Sequence, residues 1–127
     1  MALHESAEMY LETIYQLSLK QPSVRSIDVA EALQYSRPSV SRAVGLLKQD
    51  GYLETDPDGF LKLTDLGRRT AQEIYECHTI LTAALVALGI DPVIAAEDAC
   101  KIEHVISRET LSAIKAHMAR QMQSTSQ

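Results

Sequence analysis

The chain has 127 residues, a net charge of −5, 46% hydrophobic residues, two cysteines and no tryptophan. This length allows one domain or two small ones, and the low aromatic content favours helices over a β-sandwich. The longest apolar run, residues 83–88, is too short to span a membrane, and no signal peptide is evident at the N-terminus, so we expect a cytoplasmic protein without a membrane partner.

The first part of the sequence predicts three helices. Apolar residues recur at helical spacing over residues 7–19, and a second, short helix over residues 26–33 has Ser26 as its expected N-cap. A third helix over residues 37–48 has Pro38 in its first turn, where the missing N–H of proline does no harm. Three successive helices of this size are typical of a helix-turn-helix unit.

A β-hairpin and three more helices follow. Two alternating runs, residues 52–55 and 60–63, flank an Asp-Pro-Asp-Gly turn, which predicts the hairpin. A long helix should run from Asp65 to Leu88, the next should carry both Cys100 and His104, and the last should span 108 to about 122. We expect a disordered tail from about residue 121.

The third predicted helix has the character of a DNA-reading helix. Residues 20–48 carry five basic and two acidic side chains, a local positive charge in an acidic chain. In a winged helix-turn-helix this helix enters the major groove by its N-terminal turn, where serine and arginine side chains donate to phosphates and guanine edges. The alternative is a polar, solvated helix in a protein-interaction module. The expected DNA-binding residues are Arg25, Ser36, Arg37, Pro38, Ser39, Ser41 and Arg42.

Cys100, Glu103 and His104 form a candidate metal-binding motif. At positions i, i+3 and i+4 of a helix, a thiol, a carboxylate and an imidazole share one face, and all three bind first-row transition metals. In one alternative, Cys100 is a buried hydrophobic residue and the other two form a solvated pair. In another, Cys100 is the nucleophile of an enzyme with His104 as base, but no oxyanion donors or orienting group are evident. We expect no enzyme and no small-molecule substrate.

The order of motifs resembles the DtxR/MntR family of metal-dependent transcriptional repressors. The resemblance extends from about Ser6 to Met118 and rests on residues 7–15, 29–33, 38–41 and 63–67, on His78, and on residues 100–104. It implies a winged helix-turn-helix at residues 1–70 and a helical metal-binding and dimerisation region at residues 71–127. The predicted fold is therefore mainly α with a small β-hairpin wing, and no SH3-like domain is expected.

The resemblance also implies a ligand set. Met9, Cys100, Glu103 and His104 match the main site of the iron-responsive branch, His78 matches a ligand of the second site, and Glu12 matches a ligand of the manganese-responsive branch. The chain has the short length of the manganese branch, although that branch has carboxylates where this chain has Met9 and Cys100. The iron-type ancillary site is incomplete, because its remaining positions are Thr82 and Ala96.

The implied function is a metal-activated repressor that controls metal homeostasis. Thioether and thiolate ligands favour iron over manganese, so Fe²⁺ is the expected signal, with Mn²⁺ second, and Zn²⁺, Co²⁺ or Ni²⁺ should bind in vitro. The expected partners are a second copy of the chain and two-fold symmetric double-stranded operator DNA. The alternative function is a winged-helix transcription factor that responds to a non-metal ligand.

Overall fold

A computed structural model describes residues 5–125, with side chains from residue 6 to residue 121, and the fold is mainly helical as predicted. The elements in chain order are α1 (Glu5–Lys20), α2 (Ser26–Leu33), α3 (Arg37–Gln49), β1 (Leu53–Thr55), β2 (Leu61–Leu63), α4 (Asp65–Ala87), α5 (Pro92–Ile102) and α6 (Arg108–Thr125). Within residues 5–125 there is no SH3-like fold, and no helix has the length and hydropathy of a membrane span. The chain divides into two compact units between Glu73 and Ile74, inside α4.

Local capping interactions set the starts of the helices. Ser36 is the N-cap of α3, and its Oγ accepts from the Ser39 N–H at 3.3 Å. Asp91 caps α5 and Ser107 caps α6 in the same way, through the N–H groups two or three residues ahead. The predicted cap of α2 is wrong: Arg25 is the N-cap and Ser26 is the first helical residue. The Asp28 carboxylate stabilises this start by accepting from the Arg25 N–H at 2.8 Å.

The first unit contains the predicted winged helix-turn-helix. Its hydrophobic core joins α1, α2, α3 and the hairpin, and its most deeply buried large side chains are Leu11, Ile14, Val29, Val40 and Leu47. These residues come from the apolar faces of the three helices. Burial of those faces against one another fixes the position of α3 within the unit. The polar first turn of α3 remains exposed on the surface of the unit.

The hairpin of the first unit is short and antiparallel. Leu53 pairs with Leu63 and Thr55 with Leu61, and the Asp56 side chain closes the turn by accepting from the N–H groups of Asp58 and Phe60. Gly67, in the first turn of α4, lies so close to the hairpin that a Cβ atom there would overlap the Tyr52 carbonyl. The absence of a side chain at Gly67 therefore allows the start of α4 to pack closely against the hairpin.

The second unit has a separate, smaller core. Cys77 and Leu81 of α4 are buried with Ala99 of α5, and partly buried residues of α5, α6 and the loop between them pack around them: Ile102, Ile106, Leu111 and Ile114. α6 continues in helical conformation to Thr125, beyond the predicted start of a disordered tail at about 121. Ser126 and Gln127 lie outside the described residues.

Candidate metal centre and DNA-reading helix

Cys100, Glu103 and His104 do converge, although not on one helix. α5 ends at Ile102, so the expectation that the helix carries His104 is wrong, and Glu103 and His104 lie in the turn that follows. Glu103 keeps right-handed helical backbone angles (φ −58°, ψ −24°), which continues the path of the helix for one residue. One ligand atom from each of the three side chains lies within 4.8 Å of the others.

The carboxylate of Glu103 lies between two imidazoles of the second unit. Its Oε2 is 3.1 Å from Nδ1 of His78 on α4, and its Oε1 is 3.3 Å from Nε2 of His104. The Glu103 side chain is 0% exposed, the His104 side chain 1% and the His78 side chain 23%. A buried carboxylate is costly unless positive charge or hydrogen-bond donors surround it. The imidazoles of His78 and His104 are the polar groups that lie beside this buried carboxylate.

This donor set fits a divalent transition metal. Metal–ligand bonds of about 2.0–2.3 Å bring neighbouring donor atoms to separations of roughly 3–4 Å, so donors already within 4.8 Å need little movement. A thiol, a carboxylate and imidazole nitrogens are ligands for iron, cobalt, zinc or nickel, and the thiol is the least suited to manganese. The four side chains of the second unit that could hold such an ion are those of His78, Cys100, Glu103 and His104.

Cys77 supports this site from the core. Its Sγ contacts the backbone carbonyl of Glu103 at 4.0 Å, in hydrogen-bond geometry, and the side chain is buried beside Leu81 and Ala99. The sequence did not point to this role, because the two residues lie 26 positions apart. Cys77 therefore helps to fix the turn that carries Glu103 and His104.

Met9 and Glu12, the candidate ligands of α1, belong to the first unit. At spacing i, i+3 they lie on the same side of the helix, where Met9 is half-buried and Glu12 is buried. The Tyr35 hydroxyl donates to Met9 Sδ at 3.5 Å, and Gln16 Nε2 donates to a Glu12 carboxylate oxygen at 3.3 Å. The hydrogen bond from Tyr35 had no signal in the sequence.

The first turn of α3 presents the polar surface that was predicted. Arg37, Ser41 and Arg42 are exposed, as are Ser36 and Pro38, whereas Ser39 is half-buried. Ser36 Oγ is engaged in the helix cap, where it also donates to Ser39 Oγ at 2.8 Å. A cleft of about 230 Å³ beside this turn is lined by Ser26, Ile27, Arg37 and Ser41, so two residues of α2 join the surface.

Arg25 is held beside the wing. The Leu61 N–H donates to the Val24 carbonyl at 2.7 Å, which attaches the segment before α2 to the first residue of β2. The Arg25 guanidinium carbon lies 4.6 Å from the centroid of the Phe60 ring, within the range of a cation–π interaction. Phe60 is a further contributor to this surface that sequence reasoning missed.

Two family models match nearly the whole chain. Residues 2–61 match the N-terminal DNA-binding domain of the iron-dependent repressors, and residues 64–124 match their metal-binding and dimerisation domain. These matches confirm the resemblance to metal-dependent repressors and agree with the order of the two units.

Curated relatives and solved structures agree with these models. The transcriptional regulator MntR of Salmonella typhimurium is 36% identical over 112 residues, which cover 88% of this chain and 71% of the relative. The diphtheria toxin repressor of Corynebacterium glutamicum is 34% identical over 108 residues, 84% of this chain but only 47% of that protein. A manganese-dependent transcriptional repressor in complex with manganese is 28% identical, with a TM-score of 0.82 over 89% of this chain and 52% of that one.

These relatives are transcriptional regulators, which confirms the expectation of a DNA-binding regulator rather than an enzyme with Cys100 as nucleophile. Because two successive domain models match and these curated relatives are 34% and 36% identical, the chain belongs to the iron-dependent repressor family of metal-dependent transcriptional regulators.

Proposed function

We propose that this protein is a divalent-metal-activated repressor that binds two-fold symmetric operator DNA as a homodimer and controls metal homeostasis in the cytoplasm. The observation that carries the proposal is the fully buried Glu103 carboxylate, which lies 3.1 Å from His78 and 3.3 Å from His104, with the Cys100 thiol beside it. A site of this composition, in a chain that also carries a DNA-binding domain, supports a DNA-binding activity that responds to a metal.

The proposed ligands are His78, Cys100, Glu103 and His104 in the second unit, with Met9 and Glu12 of α1 assigned on the resemblance. When bound, the ion supplies positive charge that neutralises the carboxylate and the thiolate. We favour Fe²⁺, with Mn²⁺ second, because the sulfur donors Met9 and Cys100 suit iron better than manganese. Zn²⁺, Co²⁺ or Ni²⁺ should occupy the site in vitro, since affinity in a test tube follows the ligand set rather than the supply of metal in the cell.

The proposed DNA contacts come from the first turn of α3 and from the segment before α2. Arg37, Ser41 and Arg42 would read base edges or bind phosphates, and Arg25 beside the wing would bind a phosphate. Ser36, Pro38 and Ser39 complete the proposed surface. In a dimer, two copies of α3 must lie about one helical turn, roughly 34 Å, apart to reach two half-sites. Engagement of the metal ligands would favour the dimer in which this spacing is met.

The test measures binding to a two-fold operator fragment in chelator, in Fe²⁺ under anaerobic conditions, in Mn²⁺ and in Zn²⁺. We expect weak binding in chelator, and binding at least tenfold tighter with Fe²⁺ or Mn²⁺. Equal binding in all four conditions would exclude a metal switch and favour a regulator with a non-metal ligand.

Variants separate the two parts of this proposal. Cys100→Ala and His104→Ala should remove the response to metal while leaving the weak binding in chelator unchanged. Arg42→Ala should weaken binding even with metal present, because it removes a DNA contact and leaves the metal ligands intact. Lys115→Ala, a change to an exposed lysine of α6 that pairs with Glu76, is the matched control and should change neither property.

A further inference from the structure

Tyr35 occupies the junction between the two helices of the helix-turn-helix. It follows Gln34, which ends α2 in the left-handed region at φ 59°, and it precedes Ser36, the N-cap of α3. The Tyr35 N–H donates to the Ala30 carbonyl at 3.1 Å, so its backbone is fixed to the end of α2. Tyr35 therefore links the end of α2 directly to Ser36, and a change in the position of Tyr35 would shift the residue that starts the reading helix.

The side chain of Tyr35 reaches back to α1. Its hydroxyl donates to the Met9 thioether sulfur at 3.5 Å, across 26 residues of sequence. Its ring packs edge-on against Tyr10, with ring centroids 5.8 Å apart and planes at 66°. Tyr35 is 43% exposed, so burial alone does not explain this orientation, whereas the two contacts with α1 do.

Tyr10 extends this contact toward α3. Tyr10 is buried in the hydrophobic core that also contains Val40, Val44 and Leu47 of α3. The Tyr10 ring, in contact with Tyr35, therefore joins the junction to the core against which α3 packs. α1, the junction and α3 are connected through these contacts inside a single compact unit.

We propose that Tyr35 is a positioning residue that couples the Met9 thioether to the start of the DNA-reading helix. The inference rests on the proposed function, in which Met9 is a metal ligand. A thioether sulfur has two lone pairs, so Met9 can accept from Tyr35 through one and bind an ion through the other. Partners of this kind orient a ligand and tune its affinity for the metal. Here the partner is also attached to the N-cap of α3.

The proposal makes two linked statements. The Tyr35 hydroxyl strengthens the binding of ions that use the sulfur, such as Co²⁺, more than the binding of Mn²⁺. The same hydroxyl also transmits part of the effect of metal on DNA affinity, because an ion bound to Met9 would restrain Tyr35, the residue before Ser36. A purely structural tyrosine would contribute to folding stability through its ring and would do neither.

The experiment compares wild type with Tyr35→Phe, which keeps the ring on Tyr10 and removes only the hydroxyl. Met9→Leu removes the sulfur, and the double variant completes a cycle. Tyr52→Phe is the control, since Tyr52 is a partly buried tyrosine packed against the same core. Co²⁺ affinity is measured without DNA from the visible absorption of the bound ion, Mn²⁺ affinity by competition, and operator affinity in chelator and in saturating Co²⁺.

We expect Tyr35→Phe to lower Co²⁺ affinity about three- to tenfold, the range for a single hydrogen bond, and Mn²⁺ affinity by less. The gain in operator affinity on adding Co²⁺ should shrink, while the affinity in chelator stays the same. Met9→Leu should lower Co²⁺ affinity, and adding Tyr35→Phe to it should produce no further loss. Tyr52→Phe should match wild type throughout.

The outcomes distinguish this inference from the proposed function. If wild type binds operator equally with and without metal, the metal switch itself fails, and the role of Tyr35 fails with it. If wild type responds to metal and Tyr35→Phe matches it in both affinities, only the role of Tyr35 is excluded. A lower melting temperature for Tyr35→Phe with unchanged Co²⁺ affinity would assign Tyr35 a structural role and also overturn the proposal.

Discussion

Replacement of Glu103 by glutamine tests whether the buried carboxylate is a metal ligand or a structural residue. The substitution keeps the shape of the side chain and removes its charge at a position that is 0% exposed and contacted by two imidazoles. In the metal-free protein it removes the cost of burying a carboxylate and keeps an amide that can hydrogen-bond to His78. We expect the free energy of unfolding to change by less than about 1 kcal/mol, since the gain and the loss largely cancel.

The effect should appear when metal is added. An ion at about one hundred times its Kd stabilises the folded wild type by about 2.7 kcal/mol. With an unfolding entropy of about 2.1 cal/mol/K per residue over 127 residues, this stabilisation raises the melting temperature by about 10 °C for a single transition of the whole chain. If Glu103→Gln weakens binding about a hundredfold, the same concentration stabilises the variant by only about 0.4 kcal/mol, a rise of 1–2 °C.

The assay is thermal unfolding followed by circular dichroism, with chelator and with Co²⁺ or Mn²⁺. Glu76→Gln is the matched control: Glu76 is a glutamate of α4 whose side chain is 54% exposed and pairs with Lys115, and its variant should keep the full rise of about 10 °C. A Glu103→Gln protein that melts several degrees lower without metal, yet keeps the full rise with metal, would show that Glu103 is structural and would refute the assignment.

Four further predictions each concern a single side chain. Cys100→Asp exchanges a soft ligand for a hard one and should raise the ratio of Mn²⁺ to Co²⁺ affinity at least about tenfold in competition titrations; an unchanged ratio would exclude Cys100 as a ligand. Phe60→Leu removes the ring beside Arg25 and should weaken operator binding about two- to fivefold, while Phe60→Tyr should retain it. Arg25→Ala removes one phosphate contact from each protomer and should reduce the slope of log affinity against log salt by about two for the dimer, and an unchanged slope would mean that Arg25 contacts no phosphate. Burial raises the pKa of Tyr10 above its unfolded value of 10.0. The contribution of the neutral Tyr10 hydroxyl to the free energy of unfolding is therefore complete below pH 10 and is lost as the pH rises through the folded pKa. Urea unfolding at pH 8 and pH 10.5 should therefore show a larger alkaline loss for wild type than for Tyr10→Phe, and equal losses would contradict the raised pKa.

The sequence predicted most of the secondary structure because the signals for it are local. The caps at Asp91 and Ser107 are interactions between residues two or three positions apart, and the periodicity of apolar residues marks the buried face of each helix. The errors are local as well. Ser26 was a plausible cap, but the backbone turns one residue earlier, at Arg25, where Asp28 accepts the N–H.

The candidate metal site was predicted partly from spacing and partly from the resemblance. Cys100, Glu103 and His104 lie close in sequence, so their proximity holds even though α5 ends before Glu103. His78 lies 25 residues from Glu103, and no local pattern indicates that contact. Only the resemblance pointed to His78.

The sequence by itself determined the class of fold, the position of the third helix and the proximity of Cys100, Glu103 and His104, because each depends on residues that are neighbours along the chain or on a helix face. The tertiary structure decided which distant side chains meet: His78 with Glu103, Arg25 with Phe60, and Tyr35 with Met9. Such pairs depend on how helices and hairpin pack within each unit, and packing is set by the shape of a whole core rather than by any segment of it.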